Sequence, residues 1–205
     1  MKPAWLEFGF EPEAKGKTLG WFRQVHGKKV ITLPGQATLP LPEADAGITW
    51  EAGKTASVFT ADCLPVLLYT DAAGPIGAIH AGWRGALAGV VKATLQEMGV
   101  PLSQTYAILG PSIGPCCFEI KQDFIESFEF CGRPILPYLQ KREGKIFCDL
   151  VEFVLREELS LPIAHVDRTF HRCTVCTTPL LPSYRRNKNT DFLIRSWVRK
   201  TSYAG

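Results

Sequence analysis

No stretch of this 205-residue sequence approaches the roughly 20 consecutive apolar residues that span a bilayer. A helical membrane protein is therefore not expected. Charge of one sign is also missing. Twenty-three Lys and Arg face 20 Asp and Glu, a formal net charge of +3. The basic residues are scattered, apart from Arg185, Arg186 and Lys188 and a weak tail of Arg195, Arg199 and Lys200. A nucleic-acid binder is expected to show a stronger basic stripe, so nucleic acid is not an expected partner. The opening MKPAWLEF has one lysine and no long apolar region, so a secretory leader is not expected. Seven cysteines cannot all pair within one chain, and a chain of this length buries a core without disulfides. These absences together predict a reducing cytoplasm, where thiols are buried, catalytic or metal-bound.

What is present is an ordinary globular composition, 46% hydrophobic and 21% charged, with no internal repeat. One domain over residues 1–205 is expected. Val58 to Thr60, Pro65 to Thr70 and Ile76 to His80 read as short buried strands. The turn signal Ala73-Gly74-Pro75 separates the last two. A helix follows the segment Ala81 to Gly85 and runs to about Met98. Its residues Leu87, Val90, Val91, Thr94, Leu95 and Met98 share one face, and Gly99 and Pro101 end it. Ala107 to Leu109 is a strand entering the tight loop Gly110 to Pro115. Helices are predicted over Gln122 to Phe130 and from Asp149, where Asp149 can cap and Glu152 can reach back. Phe192 to Val198 is a closing strand, and the proline-rich Leu33 to Glu43 is a loop. Strands and helices alternate irregularly, which predicts an α+β fold with mixed β-sheets flanked by helices.

Histidine is scarce: only His26, His80, His165 and His171 occur. His26 precedes a glycine, His80 ends a strand, and Cys63 also lies at a strand end. Such ends feed loops where binding groups accumulate. Two imidazoles and a thiolate suit zinc, with a fourth position left open for water or substrate. They also suit a blue-copper centre, or a metal-free hydrolase with Cys63 as nucleophile and His80 or His26 as base. Spacing does not choose between these and a satisfied core. Thirty-seven residues separate His26 from Cys63, and 17 separate Cys63 from His80. Asp62 suits proton transfer or ordering of a metal shell, or simply a turn. Arg84, at a helix start, and the Arg185-Arg186 pair are candidate anion clamps. Cys173 and Cys176 form a Cys-x-x-Cys, half of a structural zinc site if Cys116, Cys117, Cys148 or His165 completes it.

Several strings occur together in a fixed order: Gln24-Val25-His26-Gly27, Thr60-Ala61-Asp62-Cys63-Leu64-Pro65-Val66, His80-Ala81-Gly82-Trp83-Arg84-Gly85 and Leu109-Gly110-Pro111-Ser112-Ile113-Gly114-Pro115. Cys173-Thr174 and Ser183-Tyr184-Arg185-Arg186 follow. This pattern resembles the laccase-like polyphenol oxidoreductase family, whose members are mostly described as purine nucleoside phosphorylases. The resemblance implies a metal held by His26, Cys63 and His80, zinc first and copper second. It further implies phosphorolysis of adenosine, inosine, guanosine and methylthioadenosine, and adenosine deamination. For a zinc-dependent enzyme of that kind, Cys63, His80, Asp62 and Arg84 are the expected catalytic residues, and Arg84, Arg185 and Arg186 the expected substrate contacts. A part in editing peptidoglycan precursors is also attached to the family. Multicopper chemistry needs an additional cluster held by many histidines, which this chain cannot furnish from its other two. The chain departs from the pattern at its start, where only 23 residues precede Gln24 and no Asn-Leu-Gly segment is found. It departs again at Leu181-Pro182, where an aromatic pair is usual, and at Asn187, where an acid is common.

Overall fold

Two neighbouring segments, Leu64–Tyr69 (β5) and Ile76–Ala81 (β6), are buried at every position. Strands apolar on both faces belong in the middle of a sheet covered on both sides. The computed structural model, which describes residues 2–18, 20–37, 39–159, 163–188 and 190–201, places them there. The remaining strands are Leu6–Ala14 (β1), Val30–Thr32 (β2), Ala46–Thr49 (β3), Thr55–Thr60 (β4), Tyr106–Leu109 (β7), Glu119–Ile120 (β8), Leu139–Arg142 (β9), Lys145–Cys148 (β10), His165–Asp167 (β11) and Phe192–Lys200 (β12). The central six-stranded sheet has the order β11-β7-β5-β6-β3-β2. Its two outer pairs are parallel and the inner three antiparallel, so the expected mixed sheet is found.

The alternation of side chains along β5 and β6 divides the core in two. Val66, Leu68, Ile79 and Ala81 pack on one face with the helices. Leu67, Tyr69, Ile76 and Ala78 pack on the other, against Leu6, Ala56, Val58 and Val198 of a second sheet. That sheet is antiparallel, in the order β1-β12-β4. A third, β8-β10-β9, is small, and its β9–β10 hairpin turns through Glu143 and Gly144, both at positive φ.

The helices are Trp83–Ala88 (α1), Val90–Met98 (α2), Gln122–Phe130 (α3) and Leu150–Phe153 (α4), the last continuing as π-helical turns over Val154–Glu158. The single helix expected up to Met98 is in fact two. Gly89 adopts φ 86° and ψ 38°, a left-handed conformation that ends α1 and starts α2. Periodicity missed the break because Leu87 and Val90 still point inward across it. The Asp149 cap forms, its side chain accepting from the Glu152 N–H at 3.0 Å. The reciprocal contact does not, because the Glu152 carboxylate pairs with Arg156 and Arg168. No helix among the described residues is long and apolar enough to cross a membrane.

Candidate active site

The antiparallel register of β5 and β6 pairs Pro65 with His80 and Leu64 with Ala81. One step beyond the sheet, Cys63 stands opposite Gly82. Residues facing each other across antiparallel strands share a face, so Cys63 and His80 are diagonal neighbours on the side of the β1-β12-β4 sheet. Gly82 makes this approach possible. A Cβ there would lie 2.9 Å from the Cys63 Sγ and 3.1 Å from His26 Cδ2.

His80 has a second cross-strand neighbour. The pairing of Ala46 with Ile79 sets Asp45 against His80, whose backbone N–H donates to the Asp45 carbonyl at 2.7 Å. The side chains meet as well: His80 Nδ1 lies 2.8 Å from Asp45 Oδ1 in a buried contact. Nδ1 thus donates to the carboxylate, and Nε2 remains for a ligand. The same carboxylate shapes the loop that carries His26. It accepts from the backbone N–H groups of Val25, His26 and Gly27 at 3.3, 2.9 and 2.6 Å. Three converging N–H groups require a tight reversal, which His26 provides with φ 60°. Gln24 anchors the loop from its other end. Its amide pairs in both directions with the backbone of Phe59 on β4, each bond 2.8 Å.

His26, Cys63 and His80 therefore converge, with one donor atom from each lying within 4.8 Å of the others. Cys63 Sγ is 3.9 Å from His26 Nε2, and the two imidazoles meet edge to face with centroids 4.7 Å apart. Burial by itself would raise the Cys63 thiol pKa. Hydrogen bonds and charge from His26 and His80 outweigh it and bring the thiol down to about 6. Burial by itself would lower His80, but Asp45 and Cys63 hold its imidazolium and carry it up to about 9. Burial opposes the Asp45 charge too, yet His80 and the loop N–H groups leave its pKa below the ordinary carboxylate value. Asp45 was not singled out from sequence. Its one signal is a lone acid in the small, apolar run Ala44 to Ile48, and its register with His80 is set by the sheet.

The trio lines a cavity of about 460 Å³, together with Asp62, Arg84 and Arg185. Arg84 is exposed, with its guanidinium 4.2 Å over the Trp83 ring. It lies in a helix of only six residues, so anion attraction there rests on the guanidinium more than on a helix dipole. Arg185 extends over Phe118, and its Nη1 donates to the Glu119 carbonyl at 3.0 Å. Asp62 has φ 89°. Its carboxylate oxygens accept from Thr174 Oγ1 and from the Arg185 N–H, both at 2.6 Å. Arg186 is not among the cavity-lining residues. Its guanidinium donates to the carbonyls of Thr174, Val175 and Leu181. His165 is exposed on β11, and His171 Nε2 is 3.0 Å from Ser112 Oγ, so neither joins the trio.

Residues 8–192 match the family described as multi-copper polyphenol oxidoreductase laccase. The chain is 34% identical to purine nucleoside phosphorylase YfiH of Escherichia coli over 172 residues, 83% of this chain and 69% of that protein. Identity is also 34% with a purine nucleoside phosphorylase of Aquifex aeolicus over 176 residues, 85% of this chain and 80% of that one. A solved Neisseria meningitidis protein superposes with a TM-score of 0.77 at 31% identity, over 88% of this chain and 74% of its own. YlmD from Geobacillus stearothermophilus shares the fold, with a TM-score of 0.78 at 23% identity, over 97% of this chain and 93% of its own. The motifs at His26, Cys63 and His80 all fall inside the matched residues, and the chain belongs to the multi-copper polyphenol oxidoreductase laccase family.

Proposed function

We propose that residues 1–205 form one zinc-dependent catalytic domain. It acts as a purine nucleoside phosphorylase on adenosine, inosine, guanosine and methylthioadenosine, with adenosine deaminase activity. The observation that carries this reading is the convergence of His26, Cys63 and His80 in the lining of a cavity that also exposes Arg84 and Arg185. Its volume suits a small-molecule ligand. Two imidazoles and a thiolate fit zinc, and three ligands leave one position open. Among the described histidines only His26 and His80 approach one another, so a multinuclear copper cluster has no ligand set here. Zinc, when bound, supplies Lewis acidity at neutral pH.

The chain's own residues do the rest. Asp45 fixes the ring of His80 and, through the loop N–H groups, the place of His26. In phosphorolysis an oxygen of phosphate bonds to ribose C1′ while the bond from C1′ to the purine nitrogen breaks. Arg84 and Arg185 hold the phosphate and offset its charge. Trp83, Phe118 and Tyr184 in the cavity lining offer aromatic faces to the base. In deamination water adds at purine C6 and ammonia leaves. Asp62 positions Arg185, because both of its oxygens already accept bonds from the surrounding loops.

A second reading has its own observation, the Cys63 thiol at 3.9 Å from an imidazole and held down to about 6. That pair suits a cysteine hydrolase. One set of assays separates the two. Untagged protein is analysed for bound metal by mass spectrometry and given adenosine with and without phosphate. Adenine formed only with phosphate, and lost in Cys63→Ala, supports phosphorolysis; inosine formed without phosphate supports deamination. Neither product from metal-loaded protein overturns the proposal. Turnover that survives metal removal and stops on thiol alkylation assigns the chemistry to Cys63 as nucleophile.

A further inference from the structure

Four of the seven cysteines lie outside the active site yet close to one another. Cys116 and Cys117 sit in the loop between β7 and β8, and Cys173 and Cys176 in the loop between β11 and β12. Their four Sγ atoms all lie within 4.8 Å of one another. The Cys116 and Cys176 sulfurs are 3.5 Å apart. A disulfide needs about 2.05 Å. A tetrahedral zinc with Zn–S bonds of about 2.3 Å sets its sulfurs about 3.8 Å apart. The spacing is that of ligands around one ion.

The surroundings are built to the same end. The two loops are stitched together by Ser112 N–H donating to the Arg172 carbonyl at 3.2 Å and Thr174 N–H donating to the Ser112 carbonyl at 3.0 Å. Gly114 lies between them, where a Cβ would sit 3.4 Å from both the Cys116 Sγ and the Cys173 Cβ. Arg142 donates to the carbonyl of Pro115, the residue before Cys116.

We propose that Cys116, Cys117, Cys173 and Cys176 bind a second zinc ion, closed to substrate and structural in role. Four protein ligands leave no open position. Binding releases the thiol protons and gives a ZnS₄ centre of net charge 2−. The site bears on the cavity through two bonds. Thr174, next to Cys173, donates to the Asp62 carboxylate at 2.6 Å, and the Ile113 N–H donates to the Asp62 carbonyl at 2.9 Å. The ion therefore clamps the loops that hold Asp62, the residue before Cys63.

The test counts metal in untagged full-length protein prepared under reducing, anaerobic conditions. Wild type is expected to carry two zinc ions per chain. Cys63→Ser and the double variant Cys173→Ser/Cys176→Ser are each expected to keep one. If the double variant fails to fold, cobalt decides. Cys63→Ser protein loaded with Co²⁺ is expected to show the intense thiolate charge-transfer and tetrahedral visible bands of an S₄ site. Folded Cys63→Ser protein that holds no zinc and develops no such bands overturns the proposal. So does a wild-type mass two hydrogens light, with a Cys116–Cys176 disulfide mapped by peptide analysis.

Discussion

At the scale of single residues, the proposed metal site depends on one carboxylate that does not line the cavity. Asp45 is fully buried, accepts from three loop N–H groups and fixes His80. Asp45→Asn keeps the size but loses the charge that orients the imidazole. Its metal affinity is expected to fall roughly 10- to 100-fold, as for other partners of metal-bound histidines. Competition titration with a chelating dye reads this directly. The pH dependence has a definite sign. Between about pH 6 and pH 9 the metal-free site holds a Cys63 thiolate beside a protonated His80, whose proton an incoming metal must displace. Affinity should therefore climb about tenfold per pH unit through that window and level off above it. Below about 6 the thiol is protonated as well, and affinity should fall more steeply. Metal retention measured by equilibrium dialysis across pH checks both limbs. The arginines separate by what they already bond. Arg84→Ala should raise the KM for phosphate about tenfold or more at unchanged melting temperature, since the side chain is exposed on the cavity. Arg186→Ala should instead lose about 2–3 kcal/mol of stability, because three backbone carbonyls lose their donor. Steady-state kinetics beside denaturant unfolding distinguishes them.

At the scale of elements, one buried acid joins three helical segments. Glu158 ends the π-helical turns after α4. It accepts from the N–H groups of Val91 and Lys92 in the first turn of α2, at 3.1 and 3.3 Å, and pairs with Arg133 just beyond α3 at 2.5 Å. Glu158→Ala leaves a partly buried guanidinium and two helix N–H groups without a partner. A loss of about 3–5 kcal/mol is expected in urea unfolding. This contact was not legible in the sequence, because a π-helical turn shifts the inward-facing positions away from a 3.6-residue period. Other elements could have been read and were not. Leu6, Phe8 and Phe10 alternate with Glu7, Gly9 and Glu11, the period-two signal of an edge strand, and β1 is that strand. Glu143-Gly144, two residues ending in glycine, marks the tight turn of the β9–β10 hairpin. By contrast, Gln122 to Phe130 was legible as a helix because three apolar residues at helical spacing needed one covered face.

At the scale of the molecule, two layers of sheet and one of helices meet where β5 begins and β6 ends, and the cavity opens there. On the proposed reading, metal binds the folded arrangement and not a chain in which His26, Cys63 and His80 lie far apart. Its removal should therefore destabilise the whole protein by mass action. Free metal at a hundredfold above Kd stabilises by about 2.7 kcal/mol per site. Differential scanning calorimetry is expected to show the melting temperature falling on chelation and returning when zinc is restored. A melting temperature indifferent to chelator would count against metal binding at the trio and at the four cysteines alike.

The sequence alone determined the candidate site residues other than Asp45 and the principal strands and helices, because side-chain type and apolar period are local properties. It also carried the family resemblance, through short strings whose order survives without any geometry. Tertiary structure decided which of those residues meet. The pairing of β3, β5 and β6 put Asp45, His80 and Cys63 on one face. The Asp62 contacts tied the later loops to the site, and Arg186 was committed to carbonyls while Arg185 kept a place on the cavity. Contacts between residues 17 to 123 positions apart arise from strand register and loop closure, and no spacing along the chain encodes them.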